Sequence, residues 1–286
     1  EVVLLHFNPG DYFEWWAGFH LKNEYASNPR PEHRTLLAQC RQERIETQVG
    51  KDKELAAVAD MEFEVPAASA RLLALNLANV LRISAIEDPE GNKLSFIQED
   101  RKLDSDPWVV LSEPAQPGRV YKMRITYAED STHDTHVIFK RGPGLYYVTE
   151  RTSWYPSFGA FDDRTKFSLR FHSPKKFSFI ATGRRLKAEK DKEYLETEWE
   201  SEIPYSVVGF NYGEFVEKSL SDPSFTVTAY AGKDIPDELQ GLRAAIDTAE
   251  LAGGIDGPRN LAGQLGILTG GFNTSRAFNL SLVGGA

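Results

Sequence analysis

The sequence has a single cysteine, no long apolar run and fewer basic than acidic side chains. Cys40 is the only cysteine in 286 residues, so no disulfide can form within the chain and disulfides reveal nothing about its redox compartment. No apolar run is long enough to cross a bilayer as a helix, so we predict no transmembrane segment. The net charge of -9 argues against a nucleic-acid partner, because phosphate binding depends on clustered Lys and Arg.

The composition is that of an ordinary globular protein. Hydrophobic residues make up 41% of the chain and charged residues 26%, which excludes an intrinsically disordered protein. A chain of 286 residues can form one large domain or two modest ones, each with its own core. Because Glu1 is not an initiator methionine, we expect the start to be a processed or cut end. The sequence leaves the localisation open.

Apolar and polar side chains alternate over most of the middle of the chain, with the period of two that half-buried strands show. The clearest examples begin at Leu55 and Phe167. The stretch Asp88–Asn92 predicts a turn that joins strands 81–86 and 94–97. Short strands without intervening helices predict a mainly β fold, an antiparallel saddle-like β-sandwich. Further strands are predicted at 121–127, 137–140, 145–149, 177–182, 194–199, 207–210 and 225–230.

The two ends of the chain carry helical patterns. Four aromatic residues recur at helical spacing and predict a short N-terminal helix lying on the sheet: Tyr12, Trp15, Trp16 and Phe19. The 31–48 stretch is ambiguous between helix and strand. Pro236 and the apolar stripe after it predict a C-terminal helix that begins a second domain. The tail 251–286 has nine glycines and three charged residues, which is typical of the interrupted start of a larger unit or of a non-native end.

Two histidines form the first candidate site. His133 and His136 flank Asp134, and imidazole nitrogens with a carboxylate can bind a transition metal. Residues three apart on a strand point to opposite faces, so the pair converges only if a turn bends the chain. The alternative is a polar hairpin tip. The sequence has no His-Glu-x-x-His, Cys-x-x-Cys, phosphate-binding glycine loop or nucleophile elbow, so the residues predict no catalytic centre.

The most specific stretch is 151–171, where an aromatic turn precedes a pair of aspartates and an alternating strand. Pro156 ends the incoming strand and predicts a loop after it. Glu150 stands directly before the aromatic turn, where its carboxylate can bind a cationic group such as a substrate ammonium. The alternative role for Glu150 is an ordinary surface ion pair.

Three blocks between 149 and 218 occur in an order and spacing that match a known family. The first joins Trp154–Pro156 to Asp162–Phe167, the second is Phe179–Gly183, and the third is Ser201–Phe215, SEIPYSVVGFNYGEF. Together they resemble the latter half of the N-terminal β-domain of the aminopeptidase N family of zinc metallopeptidases, in its divergent bacterial branch. Thr165 stands where that family often has proline, which favours a distant relative.

This resemblance implies a saddle-like β-sandwich that packs against a thermolysin-like catalytic domain and shapes the cleft for peptide N-termini. In the family a zinc-binding His-Glu-x-x-His helix follows this domain, and that motif is missing here. The chain is then expected to be a non-catalytic fragment of an aminopeptidase-like enzyme. Its three parts would be an aromatic helical segment at 1–35, the β-domain at 36–220, and at 221–286 a truncated start of the catalytic domain or a non-native tail.

The resemblance also implies a site, a cofactor and partners. Glu150 is the nearest match to the acidic or amide side chain that holds the free amino group of the substrate. Zinc is expected in the missing catalytic domain, and the partners are that domain and a peptide substrate. A bacterial periplasmic or membrane-associated parent is compatible with this picture. The alternative function is a stand-alone β-sandwich that binds peptide or glycan, or acts as a scaffold, through exposed aromatics such as Trp15, Trp16 and Trp154.

Overall fold

Every regular element in the described part of the chain is a β-strand. The computed structural model describes residues 2–8, 12–19, 38–66, 70–100, 106–130, 136–141, 144–148, 153–159, 164–221, 225–232, 268–270 and 278–284. Within these ranges no helix has the length and apolar character needed to cross a membrane. The first ten strands are β1 Val2–Asn8, β2 Tyr12–Phe19, β3 Gln39–Val49, β4 Leu55–Glu64, β5 Leu72–Ala74, β6 Leu81–Glu87, β7 Ser95–Ile97, β8 Trp108–Val110, β9 Val120–Glu129 and β10 Phe139–Arg141. The others are β11 Leu145–Tyr147, β12 Lys166–Pro174, β13 Ser178–Ala181, β14 Arg184–Lys190, β15 Tyr194–Glu200, β16 Phe210–Gly213, β17 Phe215–Ser221, β18 Phe225–Gly232, β19 Leu268–Gly270 and β20 Phe278–Gly284.

The largest sheet has seven strands in the order β14-β15-β12-β3-β4-β9-β6. Its strands pair antiparallel except β12 and β3, which run parallel with Leu169 opposite Ile45. Two parallel neighbouring strands need a long connection between them. Here the connection from β3 to β12 contains the strands β4 to β11. The predicted mainly β, antiparallel sandwich is confirmed, with this one parallel pair as a difference.

One face of the seven-stranded sheet is the wall of the hydrophobic core. The alternation predicted for β4, β9 and β12 is confirmed, because their inward side chains are buried and their outward ones are not. Successive side chains of a strand point to opposite faces of the sheet, so each strand contributes one row of apolar side chains to the core. The buried residues of these rows are Leu55, Ala57, Ala59, Met61, Phe63, Met123, Ile125, Tyr127, Phe167, Leu169 and Phe171.

Two smaller sheets cover this core. The four-stranded sheet has the order β10-β11-β16-β13, and its rings of Phe179 and Phe210 lie 4.4 and 5.0 Å from that of Phe171 on β12. The three-stranded sheet has the order β5-β8-β7. The predicted turn Asp88–Asn92 is present, since Asp88 N–H donates to the Asn92 carbonyl across 2.9 Å. The chain pairs antiparallel across this turn, since Glu87 forms a bridge with Lys93 and Leu94 N–H donates to the Ile86 carbonyl at 2.8 Å. The predicted turn is therefore confirmed, and the strands that it joins, β6 and β7, continue into different sheets.

The predicted N-terminal helix is wrong, because its four aromatic residues lie on β2. Strands β1 and β2 pair antiparallel, with Val2 opposite Phe19. The register shifts between Leu4 and Leu5, which face Ala17 and Trp15, so Trp16 has no opposite residue. A β-bulge of this kind inserts one extra residue and interrupts the period of two. Because β2 holds this extra residue, its four aromatic residues do not recur at every second position, and their spacing in the sequence resembled that of a helix.

The chain divides into two compact units, Glu1–Leu36 and Leu37–Ala286. The first contains the β1–β2 hairpin, and the second contains all other strands. Near the C-terminus β17, β18, β20 and β19 form a four-stranded sheet in that order. The helix predicted from Pro236 lies outside the described residues. The three-part division at 35 and 220 stays a prediction.

Candidate functional site

The aromatic turn that carries the family resemblance is buried. Trp154 is 0% exposed and its indole Nε1–H donates a hydrogen bond to the Val208 carbonyl across 2.9 Å. Val208 N–H in turn donates to the Tyr155 hydroxyl at 3.4 Å, a long hydrogen bond. Large aromatic side chains with one polar group are typically buried with that group paired. The suggestion that Trp154 is an exposed binding residue is therefore wrong.

The second half of the first block is tied to the third block by backbone pairing. Thr165 and Tyr205 exchange two hydrogen bonds, N–H to carbonyl, at 3.0 and 2.9 Å. The Thr165 hydroxyl also donates to the Cys40 carbonyl across 3.0 Å. Proline has no N–H and would lose the first of these bonds. The threonine at this position, where the resembling family often has proline, thus has a structural role.

The second block joins the same region through Thr182. Its backbone N–H donates to the Gly209 carbonyl at 3.0 Å, and its hydroxyl oxygen accepts the Gly209 N–H at 3.0 Å. Beside it, Gly183 has a φ of +100°, a conformation that favours glycine. All three sequence blocks therefore meet in one hydrogen-bonded cluster, which we call the aromatic junction: Trp154, Tyr155, Thr165, Thr182, Tyr205, Val208 and Gly209.

Stacked rings extend the aromatic junction into the core of the four-stranded sheet. The Trp154 ring meets that of Phe210 edge-on at 5.0 Å, and the rings of Tyr146 and Tyr212 stack at 4.7 Å. Burial raises the pKa of Tyr212 above its ordinary value, because the charged phenolate would lose its hydration. The rings of Trp154, Phe210 and Tyr212 are buried and neutral, which suits a scaffold better than a proton-transfer site.

Glu150, the predicted substrate-binding residue, lies outside the described residues, as do Asp162 and Asp163. The described chain on either side of it is firmly held. Val148 N–H donates to the Phe210 carbonyl at 3.2 Å, and the Ser153 carbonyl accepts the Ala78 N–H at 2.8 Å. The role of Glu150 stays a prediction.

The predicted metal site at His133 and His136 stays a prediction. His133 and Asp134 lie outside them, and His136 has its Nδ1 2.7 Å from Oε2 of Glu129. The other oxygen of Glu129 accepts the Val137 N–H at 2.9 Å, and this carboxylate is only 5% exposed. In the described part of the chain no group of three or more His, Cys, Asp and Glu side chains could hold a metal ion. His136 thus acts as the partner of a buried carboxylate.

Sequence reasoning missed an acidic groove beside His136. The groove has a volume of about 630 Å³, and its lining includes Glu54, Glu129, Asp130, His136 and His172. The ring of His172 stacks on that of Tyr194 at 4.2 Å. Residues from β3, β4, β9, β12 and β15 contribute, so no contiguous sequence signal could have revealed it. Its charge suits cations better than anions.

The fold is similar to that of solved zinc peptidases. An M1 zinc metallopeptidase from Deinococcus radiodurans has a TM-score of 0.55 and 16% identity, over 71% of this chain and 51% of that chain. A mutant of that enzyme type from the same organism, bound to a Tyr-Ser-Ala substrate, has a TM-score of 0.54 and 17% identity, over 65% and 44%. A mutant two-domain M1 zinc metallopeptidase bound to L-arginine gives 0.55 and 16%, over 67% and 46%. The chain shares its fold with M1 zinc metallopeptidases.

The likeness covers only part of each solved structure. The chain spans about half the length of the solved structures that it matches. No protein-family profile matches the sequence, and no curated protein sequence matches it. At identities of 16–17% the likeness establishes the fold, because fold and function are separable.

Proposed function

We propose that this chain is the non-catalytic N-terminal β-domain of a zinc-dependent, aminopeptidase-like metallopeptidase and shapes the cleft for peptide N-termini. The observation that carries the proposal is the fold likeness to M1 zinc metallopeptidases over 65–71% of the chain. The aromatic junction supports it, because the three blocks that resemble the family form one cluster in space rather than three unrelated segments. Zinc does not fit the described residues, so no reaction step is assigned to this chain.

The proposed contribution of this chain to substrate binding is the Glu150 carboxylate. A peptide N-terminus presents an ammonium group, and a carboxylate beside it provides a charge-assisted hydrogen bond. The described residues on either side of Glu150, Val148 and Ser153, each make a backbone hydrogen bond, with Phe210 and Ala78 respectively. A charge-assisted bond of this kind contributes to the binding of substrate rather than to bond cleavage.

The test of the function uses the full-length protein that carries this chain. It should contain zinc and should hydrolyse aminoacyl-anilides, and removal of zinc with a chelator should abolish the hydrolysis until zinc is returned. An anilide whose amino group is acetylated should be a poor substrate, because it has no ammonium. A full-length protein with neither zinc nor hydrolysis would contradict the proposal and favour the binding-module alternative.

The role of Glu150 has its own test in the same protein. We expect Glu150→Gln to raise KM for aminoacyl-anilides by about tenfold with a smaller change in kcat, because the lost interaction holds the substrate in its ground state. Zinc content should stay unchanged. The matched control is Glu189→Gln, which removes one carboxylate from the exposed strand β14. Equal KM values for the two variants would assign Glu150 to the surface ion pair.

A further inference from the structure

The seven-stranded sheet ends on one side at β6, so one edge of this strand faces no further strand in the described part of the sheet. An open strand edge presents N–H and C=O groups that can pair with a strand of another chain. The sequence of β6, LRISAIE, has one basic and one acidic residue and three buried apolar side chains, Leu81, Ile83 and Ile86. A strand of this composition is prone to such pairing unless its edge is covered.

The side chain of Gln98 covers the first half of this edge. Its amide oxygen Oε1 accepts the Ile83 N–H at 2.9 Å, and its amide nitrogen Nε2 donates to the Leu81 carbonyl at 2.8 Å. The Arg82 guanidinium donates to the backbone carbonyl of Gln98 at 3.1 Å. A primary amide offers a donor and an acceptor, as the backbone of a neighbouring strand does. Gln98 therefore takes the place of a residue of a further strand.

The second half of the edge is covered by backbone contacts. Leu94 N–H donates to the Ile86 carbonyl at 2.8 Å, and Glu87 forms a bridge with Lys93. A β-bulge, where the register with β9 shifts, lies between the two halves. Bulges of this kind are common at sheet edges, where they disrupt pairing. Residues 93–98, which we call the strap, therefore contact β6 on both sides of the bulge.

The opposite edge of the sheet, strand β14, is protected by charge. Its sequence RRLKAEK has four basic residues and one acidic residue. Two copies of this strand placed edge to edge would bring like charges together, which disfavours pairing. Strand β6 has no such excess of one charge, so its protection depends on the strap.

We propose that the strap prevents the seven-stranded sheet from pairing with a second copy of this chain through β6. Two copies of an uncovered β6 could pair antiparallel about a two-fold axis, the commonest symmetry of a dimer. The strap is held in place by β7, which lies within it and pairs with β8. The inference rests on contacts within the chain alone and is independent of the proposed function.

The test replaces Gln98 and measures self-association of the chain. Gln98→Met keeps the length of the side chain and removes both amide groups, so the Ile83 N–H loses its acceptor. At about 5 µM we expect the Ile83 amide of this variant to exchange hydrogen at least about tenfold faster than in the parent chain, read by mass spectrometry. At about 100 µM its weight-average mass in sedimentation should rise toward twice that of the parent chain, and the Ile83 amide should be protected again.

Two control variants make the result specific to the edge of β6. Gln98→Lys also removes the acceptor of Ile83, but it places at the edge a charge that a second copy would have to bury. It should therefore show fast exchange at Ile83 without the increase in mass. Gln48→Met makes the same chemical change at an exposed side chain of β3, which has a neighbouring strand on each side, and should behave as the parent chain does.

Several results would overturn the inference. One is a Gln98→Met variant with the mass of the parent chain at both concentrations, whatever its exchange rate at Ile83. Another is an equal increase in mass in Gln98→Lys, and a third is association that leaves the Ile83 amide exposed, because both would assign association to another surface. Gln98→Ala replaces Gln98→Met if that variant has a lowered thermal midpoint. None of these measurements depends on zinc or hydrolysis, so the proposed function is tested separately.

Discussion

The indole N–H of Trp154 donates to the carbonyl of Val208, 54 residues later in the chain, across 2.9 Å. This bond joins the first and third of the blocks that resemble the aminopeptidase N family. It is buried at both ends, since Trp154 is 0% and Val208 5% exposed. The bond therefore holds the aromatic-proline turn against the segment that leads into β16.

Trp154→Phe tests this arrangement. Phenylalanine lacks the indole N–H and fills less volume, so the Val208 carbonyl loses its donor and a void forms. We expect the free energy of unfolding to fall by about 2–4 kcal/mol in urea titrations. Trp108→Phe is the control, because Trp108 is only half-buried, and it should lower that free energy by less than about 1 kcal/mol. Equal losses would contradict the anchoring role of Trp154.

Gly183 is a position where any side chain should destabilise the fold. Its φ is +100°, and an added Cβ would lie 2.8 Å from the carbonyl carbon of Glu200. Gly183→Ala should therefore cost about 3 kcal/mol of unfolding free energy or more. Gly91→Ala is the matched control, since Gly91 has a φ of +83° with no atom within 4 Å of the added carbon. It should cost only about 1 kcal/mol, measured in the same titration. A similar loss of unfolding free energy in both variants would show that the backbone at Glu200 moves away from the added carbon at little cost.

Strands whose inward rows are fully apolar could be predicted from the sequence, and those with polar inward residues could not. Strand β4 alternates without exception, so its prediction is confirmed. Strand β3 places Glu43 and Thr47 among its buried residues, and the register skips Arg41. Each of these features breaks the apolar period, which is why the 31–48 stretch was ambiguous. The bulge at Trp16 on β2 had the same effect and produced a wrong prediction.

The sequence likewise predicted only part of the candidate site. The three blocks were visible in the sequence because each carries an unusual combination of aromatic, proline or glycine residues. Their contacts were not visible, because the four strands β12 to β15 lie between Thr165 and Tyr205 in the sequence. The acidic groove beside His136 draws residues from five strands. No sequence pattern records which strand ends meet.

The charged outer face of the seven-stranded sheet should contribute little to stability. The hydrogen bond from Arg124 to Asp60 raises the pKa of the guanidinium, but the two side chains are 56% and 38% exposed. A double-mutant cycle with Arg124→Met and Asp60→Asn should give a coupling of about 0.5–1 kcal/mol in low salt. The coupling should decrease at a salt concentration of about 1 M, where exposed charges are screened. A coupling above about 2 kcal/mol would show that this face is covered rather than exposed to solvent.

The turn between β14 and β15 should make stability depend on pH in the acidic range. Asp191 accepts the N–H groups of Tyr194 and Glu193, each at 2.8 Å, and these bonds lower the pKa of its carboxyl below the ordinary value. A lowered pKa in the folded state stabilises the fold above the unfolded pKa of about 3.9, and this contribution is lost as the pH falls through the folded value.

Asp191→Asn should therefore have a lower thermal midpoint than the parent chain at about pH 6, and the gap should shrink toward about pH 3 because the parent loses the charged acceptor there. Thermal unfolding at both pH values provides the measurement. Lys192→Gln is the control, because it changes the charge of the same turn and leaves the Asp191 bonds in place. If the gap for Asp191→Asn stays constant, the turn depends on the shape of the acceptor and not on its charge, since asparagine also carries a carbonyl oxygen at that position.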